Sequence, residues 1–398
     1  MKTIETDVLV VGAGPGGSIA AKFAALKGMR TLLIEKRQEI GSPVRCAEGI
    51  SKGWLPECGI EADPRWISAT PEVARIFAPD GNCFMMKADR AGNEVGIVID
   101  RHQFDKVLAA DAARAGAQIL LKTFATDVVR ANGAVSGVVA KSFGSDVEIR
   151  ARITIGADGF ESQVGRWAGI RTQVKARDIV TTFQYQLAGI DCDPRYCDFY
   201  AGSCAPGGYI WVFPKGKDIA NVGLGVQLSL LKGKGEPKAY LDRWIATQPR
   251  FAEGKPLAMV AGAVSTNKPL PKTTTDGLML VGDAARLIDP LTGGGIMNAC
   301  ISGKMAGEIA AQAIQIGDVS ETFLQRYEQA WRGRLAKHIE RNWWAKEQAA
   351  KINDEKLCSL IAALSEVDLN ASTLSLLKAI GKKHPKLVAQ FAHLMLTG

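Results

Sequence analysis

One loop in the N-terminal part of the chain places a thiol close to a carboxylic acid. In "GSPVRCAEGISKG", residues 41–53, Cys46 directly follows Arg45 and lies two positions before Glu48. A thiol is largely protonated at neutral pH, so Cys46 is a candidate proton donor, and Glu48 is a second one. Two alternatives involve no proton transfer: Cys46 as a small apolar residue that shapes a cavity, and Glu48 as the salt-bridge partner of Arg45.

A glycine-rich turn precedes this loop. In "VGAGPGGSIAA", Gly12, Gly14 and Gly17 have the spacing G-x-G-x-x-G, with Gly16 inside the same turn. In that spacing the first glycine allows a tight turn, the second lets a pyrophosphate approach the backbone, and the third lets a helix pack on the sheet. Glu35 ends the next strand, where its carboxylate can accept hydrogen bonds from ribose hydroxyls. The pattern predicts a dinucleotide site.

Two later motifs indicate which dinucleotide binds. "GADGFESQVGRWAG" carries Asp158 at a strand end, and "LMLVGDAARLIDPLTGGGI" carries Asp283 at another. These segments resemble the DG and GD motifs of the flavoprotein superfamily typified by para-hydroxybenzoate hydroxylase. The resemblance implies FAD as the cofactor, Asp283 at its ribityl chain, and contacts from Arg101 and Ala125. For Arg101 the alternative is a surface arginine near a helix start.

The triple glycine after Asp283, Gly293 to Gly295, opens a predicted helix. Reducing a flavin places negative charge near N1 and the C2 carbonyl, which a helix N-terminus with small residues can stabilise. Gly295 and Ile296 are the expected contacts. By the same resemblance, the loop over the isoaloxazine ring contributes Arg45, Cys46, Ala47 and Gly49.

The elements that must position these residues follow from hydrophobic periodicity. A strand at 7–11, a helix at 18–27 and the strand "TLLIEK" form a βαβ unit, and a further helix covers 101–115. Period-2 patterns predict more strands within 119–129, 134–139 and 147–155. Short strands separated by Gly and Pro turns between 176 and 275 predict an antiparallel sheet, and residues 320–396 are predicted to be helical.

The predicted fold class is therefore α/β, with a Rossmann-like, para-hydroxybenzoate hydroxylase-like FAD-binding lobe. We expect this lobe to be discontinuous, at 1–175 and 276–312. An antiparallel-sheet substrate lobe at 176–275 and a C-terminal helical region at 313–398 complete the predicted organisation.

Composition limits the remaining options. The 398 residues are 47% apolar and 23% charged, without a long uncharged apolar run or a secretory pattern at the N-terminus, so we expect a cytoplasmic globular protein. Eight cysteines are scattered, and Cys192 and Cys197 form only a C-x4-C pair, so no metal site is predicted. The net charge of +8 suits an anionic partner.

A closer resemblance covers about residues 5–350. "PVRCAEG", "AGNEVGIVIDRHQFDK", "GYIWVFPKGKDIANVGLG" and the two aspartate motifs together resemble the archaeal geranylgeranyl reductase family. In that family the Y-x-W-x-F-P segment, here Tyr209, Trp211 and Phe213, lies along the lipid cavity. These side chains alternate onto one face of a strand, which by itself is equally consistent with sheet core.

The family implies an FAD-dependent oxidoreductase that saturates isolated C=C bonds in the geranylgeranyl chains of archaeal ether lipids, a step of phospholipid biosynthesis. Such an alkene has no carbonyl to stabilise a carbanion, so protonation must lead or accompany hydride delivery from flavin N5. An acid is therefore needed close to N5 in a dry, apolar tunnel. None of the four histidines lies in a flavin motif, so Cys46 remains the first candidate, with Glu48 as the alternative acid.

The partners are less sharply defined. The electron donor is left open among ferredoxin, a reduced deazaflavin and NAD(P)H, with the basic charge slightly favouring acidic ferredoxin. A basic helix over 323–351 carries an apolar stripe of Leu324, Tyr327, Trp331, Leu335, Ile339 and Trp343. It either makes peripheral contact with the inner face of the cell membrane or packs on the protein. No nucleic-acid module is recognised, so no nucleic-acid partner is expected.

Two other functions fit parts of the pattern. An FAD monooxygenase or halogenase would use the same scaffold for oxygen chemistry. A non-enzymatic prenyl-lipid carrier would use the cavity alone, and the complete set of FAD motifs argues against it.

Overall fold

The fold is described from a computed structural model covering residues 1–91, 95–231 and 236–366, together with Lys378, Gly381, Lys382 and Pro385. Its strands are β1 (Lys2–Val11), β2 (Thr31–Ile34), β3 (Gly49–Ile50), β4 (Ile67–Ala69), β5 (Val73–Phe77), β6 (Cys83–Lys87), β7 (Ile97–Ile99), β8 (Gln118–Leu120), β9 (Thr123–Ala131), β10 (Ala134–Ser142), β11 (Ser145–Gly156), β12 (Ile179–Ala188), β13 (Tyr196–Ala201), β14 (Tyr209–Pro214), β15 (Ile219–Gln227), β16 (Lys255–Ser265), β17 (Thr274–Thr275) and β18 (Leu278–Leu280). Its α-helices are α1 (Pro15–Leu26), α2 (Arg101–Arg114), α3 (Gln163–Trp167), α4 (Pro237–Ala246), α5 (Ile296–Ile316), α6 (Glu321–Trp331), α7 (Lys337–Ala349) and α8 (Asp354–Ser365).

A largely parallel sheet forms the first layer, with strand order β17-β18-β11-β1-β2-β8 and the hairpin β9–β10 extending from β11. Strand β1 is central, and its apolar run 8–11 is buried, as expected for a parallel strand covered on both faces. The predicted βαβ unit is confirmed as β1, α1 and β2, although α1 begins at Pro15, three residues earlier than predicted. A proline is tolerated there because the first turn of a helix leaves its N–H groups unpaired.

A mostly antiparallel sheet forms the second layer, in the order β16-β12-β15-β14-β13-β5-β6. The antiparallel strands predicted between 176 and 275 are present. The sheet also takes in β5 and β6 from within the range 1–175, because β5 pairs in parallel with β13. The chain therefore contributes to the two layers in a more interleaved way than the predicted domain boundaries describe. The alternation of side chains along a strand does not specify which sheet it joins.

The C-terminal helices pack on the parallel sheet. The apolar stripe runs along α6, the π-helical segment Arg332–Ala336 and α7. Its residues Leu324, Tyr327, Trp331, Leu335 and Ile339 are buried in the main core, and Trp343 is half-buried. The Tyr327 hydroxyl donates to Leu280 O at 2.6 Å, and Trp331 Nε1 donates to Thr273 Oγ1 at 3.0 Å. The packed-helix alternative is thus confirmed, and the stripe is not free to enter a membrane. Among the described residues, no helix has the length and apolar character needed to cross a bilayer. Most of the predicted helical tail beyond residue 366 lies outside the described residues.

Candidate active site

Two adjacent cavities lie beside the β1–α1 turn. The larger, about 340 Å³, is lined by the β1–α1 turn, residues 45–47, Gly49, strands of the antiparallel sheet and the segment 290–297. The smaller, about 140 Å³, contains Glu35 and shares Gly14, Arg45 and Arg101 with the larger one. Gly14 of the glycine turn therefore lies where the two cavities adjoin.

The glycine turn has the geometry of a phosphate cradle. Gly12 has a φ of +105°, and a Cβ there would lie 2.5 Å from Ala157 O. A Cβ at Gly14, the N-cap of α1, would meet nothing within 4 Å, whereas one at Gly17 would overlap Gly12 O. The start of α1 carries no side-chain cap, so its first N–H groups face the open space beside Gly14. Gly16 lines the cavity and packs against Ala299 of α5.

Glu35, for which a ribose contact is predicted, lines the smaller cavity. Its carboxylate accepts hydrogen bonds from Ala13 N and Arg37 N, each at 3.0 Å. These two bonds fix the side chain at the edge of the smaller cavity, next to the turn.

Two predicted cofactor contacts lie outside both sets of lining residues. Asp158 Oδ2 accepts from Val164 N at 3.0 Å, and its buried Oδ1 has no partner. Burial raises the pKa of Asp158, although backbone hydrogen bonds oppose the effect. Ala125 lies in β9 and is partly buried against the main core. In this structure Asp158 holds the start of α3, and the predicted contacts of both residues with FAD stay predictions.

Arg101 is a largely buried residue at the start of α2. Its guanidinium forms two hydrogen bonds with the carboxylate of Asp105, at 2.7 and 2.8 Å, and it also faces Cys46. Burial acts to lower the pKa of Arg101, but the charges of Asp105 and Cys46 outweigh it and raise the pKa well above its ordinary value. The alternative of an exposed surface arginine is wrong.

Residues 45–49, here called the cysteine loop, are held in place by hydrogen bonds from the antiparallel sheet. Cys46 lines the large cavity, and its Sγ accepts a hydrogen bond from Glu48 N at 3.2 Å. Gln184 Nε2 of β12 donates to Cys46 O at 3.2 Å, and Asn221 Nδ2 of β15 donates to Ala47 O at 3.1 Å. Hydrogen bonds from the antiparallel sheet, which also lines the cavity, therefore set the position of the loop.

Glu48 has a different partner from the one proposed. Its salt bridge is with Lys215, at 2.9 Å, rather than with Arg45, and its carboxylate also accepts from Arg101 N and Asn221 Nδ2, each at 2.7 Å. A left-handed backbone, with φ at +77°, accompanies this burial, and only 4% of the residue is exposed. Glu48 does not line the cavity, unlike its neighbours. Its role is to anchor the loop, which leaves Cys46 as the proton donor candidate.

Asp283 and the glycine run face the same cavity from the other side. Burial raises the pKa of Asp283, partly offset by the positive charges of Arg286 and Arg101. Gly295 caps α5 directly beside this carboxyl, since a Cβ there would lie 2.9 Å from Asp283 Oδ1. Together with Ile296 they line the cavity, and their contacts with FAD stay predictions.

Asp289 positions this segment and was not identified from the sequence. Its fully buried carboxylate accepts from Leu291 N and Thr292 N, at 2.9 and 3.2 Å, and from His338 Nε2 and Asn342 Nδ2 of α7, at 3.0 and 2.6 Å. The only local signal was an acid before a proline in a turn-rich stretch.

The predicted aromatic wall is divided between cavity and core. Tyr209 and Trp211 line the cavity, whereas Phe213 is fully buried and packs on Phe199 with ring centroids 5.5 Å apart. Tyr209 OH donates to Thr292 O, which ties β14 to the glycine segment. Trp211 Nε1 donates to Gln184 Oε1 at 2.7 Å, so Gln184 joins the aromatic wall to the cysteine loop. Strand periodicity could not reveal Gln184 as this link.

The indole of Trp211 packs against β15 at a glycine, Gly223, which has no side chain. A Cβ at Gly223 of β15 would lie 2.5 Å from the Trp211 ring and 2.8 Å from Gln184 Cβ. The position of the indole therefore depends on the absence of a side chain at Gly223.

The residues present fit FAD: an uncapped helix start with open space for phosphates, an acid at the ribose end, and a second helix start beside an aspartate. The fold and this site define an FAD-dependent oxidoreductase. Family models agree, since residues 5–190 match an FAD binding domain and residues 178–264 match a geranylgeranyl reductase catalytic domain.

Curated relatives and solved structures narrow the class. Digeranylgeranylglycerophospholipid reductases from Thermoplasma volcanium and Methanocella arvoryzae are 48% and 49% identical to this chain, each match covering 98% of the chain and 99% of the relative. The chain belongs to the digeranylgeranylglycerophospholipid reductase family, which confirms the resemblance to geranylgeranyl reductases.

A solved structure of a geranylgeranyl bacteriochlorophyll reductase-like protein from Thermoplasma acidophilum superposes with a TM-score of 0.93 at 46% identity, over 98% of this chain and 100% of the other. A myxobacterial chondrochloren halogenase gives a TM-score of 0.71 at 19% identity, over 95% and 96% of the two chains. At that identity the halogenase shows the shared fold alone.

Proposed function

We propose that this chain reduces the isolated C=C bonds of geranylgeranyl chains in an archaeal ether lipid, converting digeranylgeranylglycerophospholipid to a phytanyl lipid. The observation that carries the proposal is a single cavity lined by three chemically different groups of residues. The phosphate cradle at Gly14, the thiol of Cys46 and the aromatic side chains of Tyr209 and Trp211 all line it. Cofactor, proton donor and apolar chain can therefore meet in one place.

The side chains supply what alkene reduction requires. FAD, when bound and reduced, provides the hydride for one alkene carbon. Val180, Val260 and Val264 add to the aromatic wall and exclude water around the chain. Cys46 donates its thiol proton to the other carbon and is left as a thiolate, which the Arg101 guanidinium and Glu48 N–H stabilise. A proton from solvent then restores the thiol.

An anaerobic single-turnover experiment tests this function. The protein is reduced with dithionite and mixed with digeranylgeranylglyceryl phosphate, and flavin absorbance and product mass are followed. We expect reoxidation of the flavin and a gain of two hydrogen atoms per reduced bond. Lipid binding without reoxidation would make the chain a carrier, and O2-dependent hydroxylation would make it a monooxygenase.

The proposal includes contact with a membrane, but through a surface other than the basic helix over 323–351. Leu291 lines the cavity and is 40% exposed, and Leu230, which is 43% exposed, lies beside Gly207 at the same cavity. We place these leucines at the inner face of the cell membrane, with the rest of the protein in the cytoplasm. The test is liposome co-sedimentation: Leu230→Asp with Leu291→Asp should weaken binding, whereas Leu257→Asp, at an exposed site outside the cavity lining, should not. Equal binding by all variants would contradict this placement.

The donor of electrons is proposed on charge alone. A net charge of +8 favours an acidic ferredoxin over a reduced deazaflavin or NAD(P)H.

A further inference from the structure

A lysine lies in the wall of the large cavity, remote from the cysteine loop. Lys346 of α7 lines the cavity, and its Nζ donates to Thr266 O at 3.0 Å, directly after the end of β16. The end of β16 pairs with the start of β12, through Ser265 and Ile179. Five residues further along β12, Gln184 contacts Cys46. At the rise of a strand this separation is about 16 Å, which an extended geranylgeranyl chain can span.

The ammonium group of Lys346 is only partly satisfied. Its side chain is 15% exposed, and besides Thr266 O it contacts Glu347 at 2.8 Å, a carboxylate whose side chain is 44% exposed. An ammonium has three N–H donors, so among the residues that the structure describes one donor remains for a further acceptor. A partner such as Glu347 contributes little binding energy because solvent screens it.

Other charges around Lys346 leave room for an anion. Lys268 Nζ lies 4.3 Å from the Trp343 ring, one helical turn before Lys346, and brings a second positive charge to this end of the cavity. The nearby Asp178 carboxylate is engaged by Asn267 at 3.0 Å.

We propose that Lys346 binds the phosphate of the lipid headgroup, while the prenyl chain runs along β12 towards Cys46. The inference rests on the proposed function and deepens it, since it assigns the headgroup chemistry that the cavity selects. A half-buried ammonium in a wall shared with Val260 and Val264 suits a ligand that is apolar along its length and anionic at one end. Phosphate recognition at Lys346 therefore adds binding affinity at the headgroup end of the lipid.

The test compares two substrates that differ only in the phosphate: digeranylgeranylglyceryl phosphate and its dephosphorylated diether. Charge-assisted hydrogen bonds are among the stronger ones. We therefore expect Lys346→Gln to raise KM for the phosphorylated lipid about tenfold, with kcat nearly unchanged and with no change in KM for the diether. Lys346→Arg should retain most of the discrimination. Lys337→Gln, an exposed lysine of the same helix, is the matched control and should behave as wild type.

A binding measurement separates this inference from the reaction itself. Quenching of tryptophan fluorescence in the oxidised holoenzyme reports binding of the saturated phosphorylated and dephosphorylated diethers without turnover. Loss of the preference for the phosphorylated form in Lys346→Gln supports the headgroup site, even if no lipid is reduced and the proposed function fails. Competition by glycerol phosphate and not by inorganic phosphate would identify a headgroup; inhibition by inorganic phosphate alone, or equal effects of Lys346→Gln on both lipids, would overturn the inference.

Discussion

Cys46 is the residue on which the chemistry depends most directly. Replacing it with serine keeps the size and the hydrogen bond from Glu48 N but removes an acid of suitable strength. We expect Cys46→Ser to slow anaerobic reoxidation by the lipid about 100-fold, the order expected for loss of a general acid, with FAD content unchanged. Stopped-flow absorbance measures this rate. Cys83→Ser, at a half-buried cysteine outside the cavity, should react normally; a near-normal rate for Cys46→Ser would mean that the thiol only shapes the cavity.

Asp283 predicts a pH dependence of stability. Because burial raises its pKa, the folded protein keeps this proton to a higher pH than the unfolded chain does. The free energy of unfolding therefore falls as pH rises from about 4, the ordinary value for aspartate, through the raised value. We expect Asp283→Asn, with FAD removed, to be more stable than wild type at pH 7 and equally stable near pH 3.5, by urea unfolding. Its affinity for FAD should fall.

The control for this prediction is an aspartate whose pKa is shifted in the opposite direction. Hydrogen bonds from Ser320 lower the pKa of Asp318, so Asp318→Asn should lose stability at pH 7 and not at low pH. If Asp283→Asn is also less stable than wild type at pH 7, burial of the Asp283 carboxyl does not oppose folding.

At the residue scale, the sequence reveals those features that spacing alone determines. Gly12, Gly14 and Glu35 were found because a phosphate turn needs fixed residue types at fixed intervals. The partners of Glu48 and Cys46 were not, since Lys215 lies 167 positions from Glu48 and Gln184 lies 138 positions from Cys46. No local pattern encodes a contact between two segments that only the folded chain brings together.

At the element scale, the cysteine loop depends on a buried ion pair that joins it to the turn after β14. Lys215→Met would leave the Glu48 carboxylate buried without its cation. We expect this change to lower the free energy of unfolding by about 3 kcal/mol, in the range for breaking a buried pair, measured by urea unfolding. Lys217→Met, two residues later and exposed, should cost little. An equal effect of both variants would show that Glu48 is satisfied by Arg101 N and Asn221 alone.

Individual strands and helices were predicted better than the partners with which they pair or pack. The strands between 119 and 155, and α2, were expected from periodicity because apolar residues recur on one face of each element. The assignment of β5 and β6 to the antiparallel sheet was missed, because their pairing with β13 is chosen by tertiary packing. The stripe on α6 and α7 was found, but a pattern of apolar residues does not distinguish a membrane from a protein core as the surface it covers.

At the scale of the whole molecule, the net positive charge should control the rate of electron delivery. If the donor is an acidic ferredoxin, raising the ionic strength from 0.01 to 0.5 M should slow reduction of the enzyme at least tenfold, because salt screens the long-range attraction. Stopped-flow flavin bleaching measures the rate. A neutral deazaflavin reductant is the control and should show little salt dependence. A rate with ferredoxin that does not change with salt would contradict electrostatic docking.

Gly223 has a consequence for how substrate range can change in this family. Any side chain at that position would push the indole of Trp211 and the amide of Gln184 toward the cavity, narrowing it while also straining the link to Cys46. Chain length and branching of the accepted isoprenoid are then coupled to the alignment of the proton donor. Variants selected for bulkier lipids should therefore alter the surroundings of Trp211 more readily than Gly223 itself, and enlargement of the cavity and loss of rate should appear together.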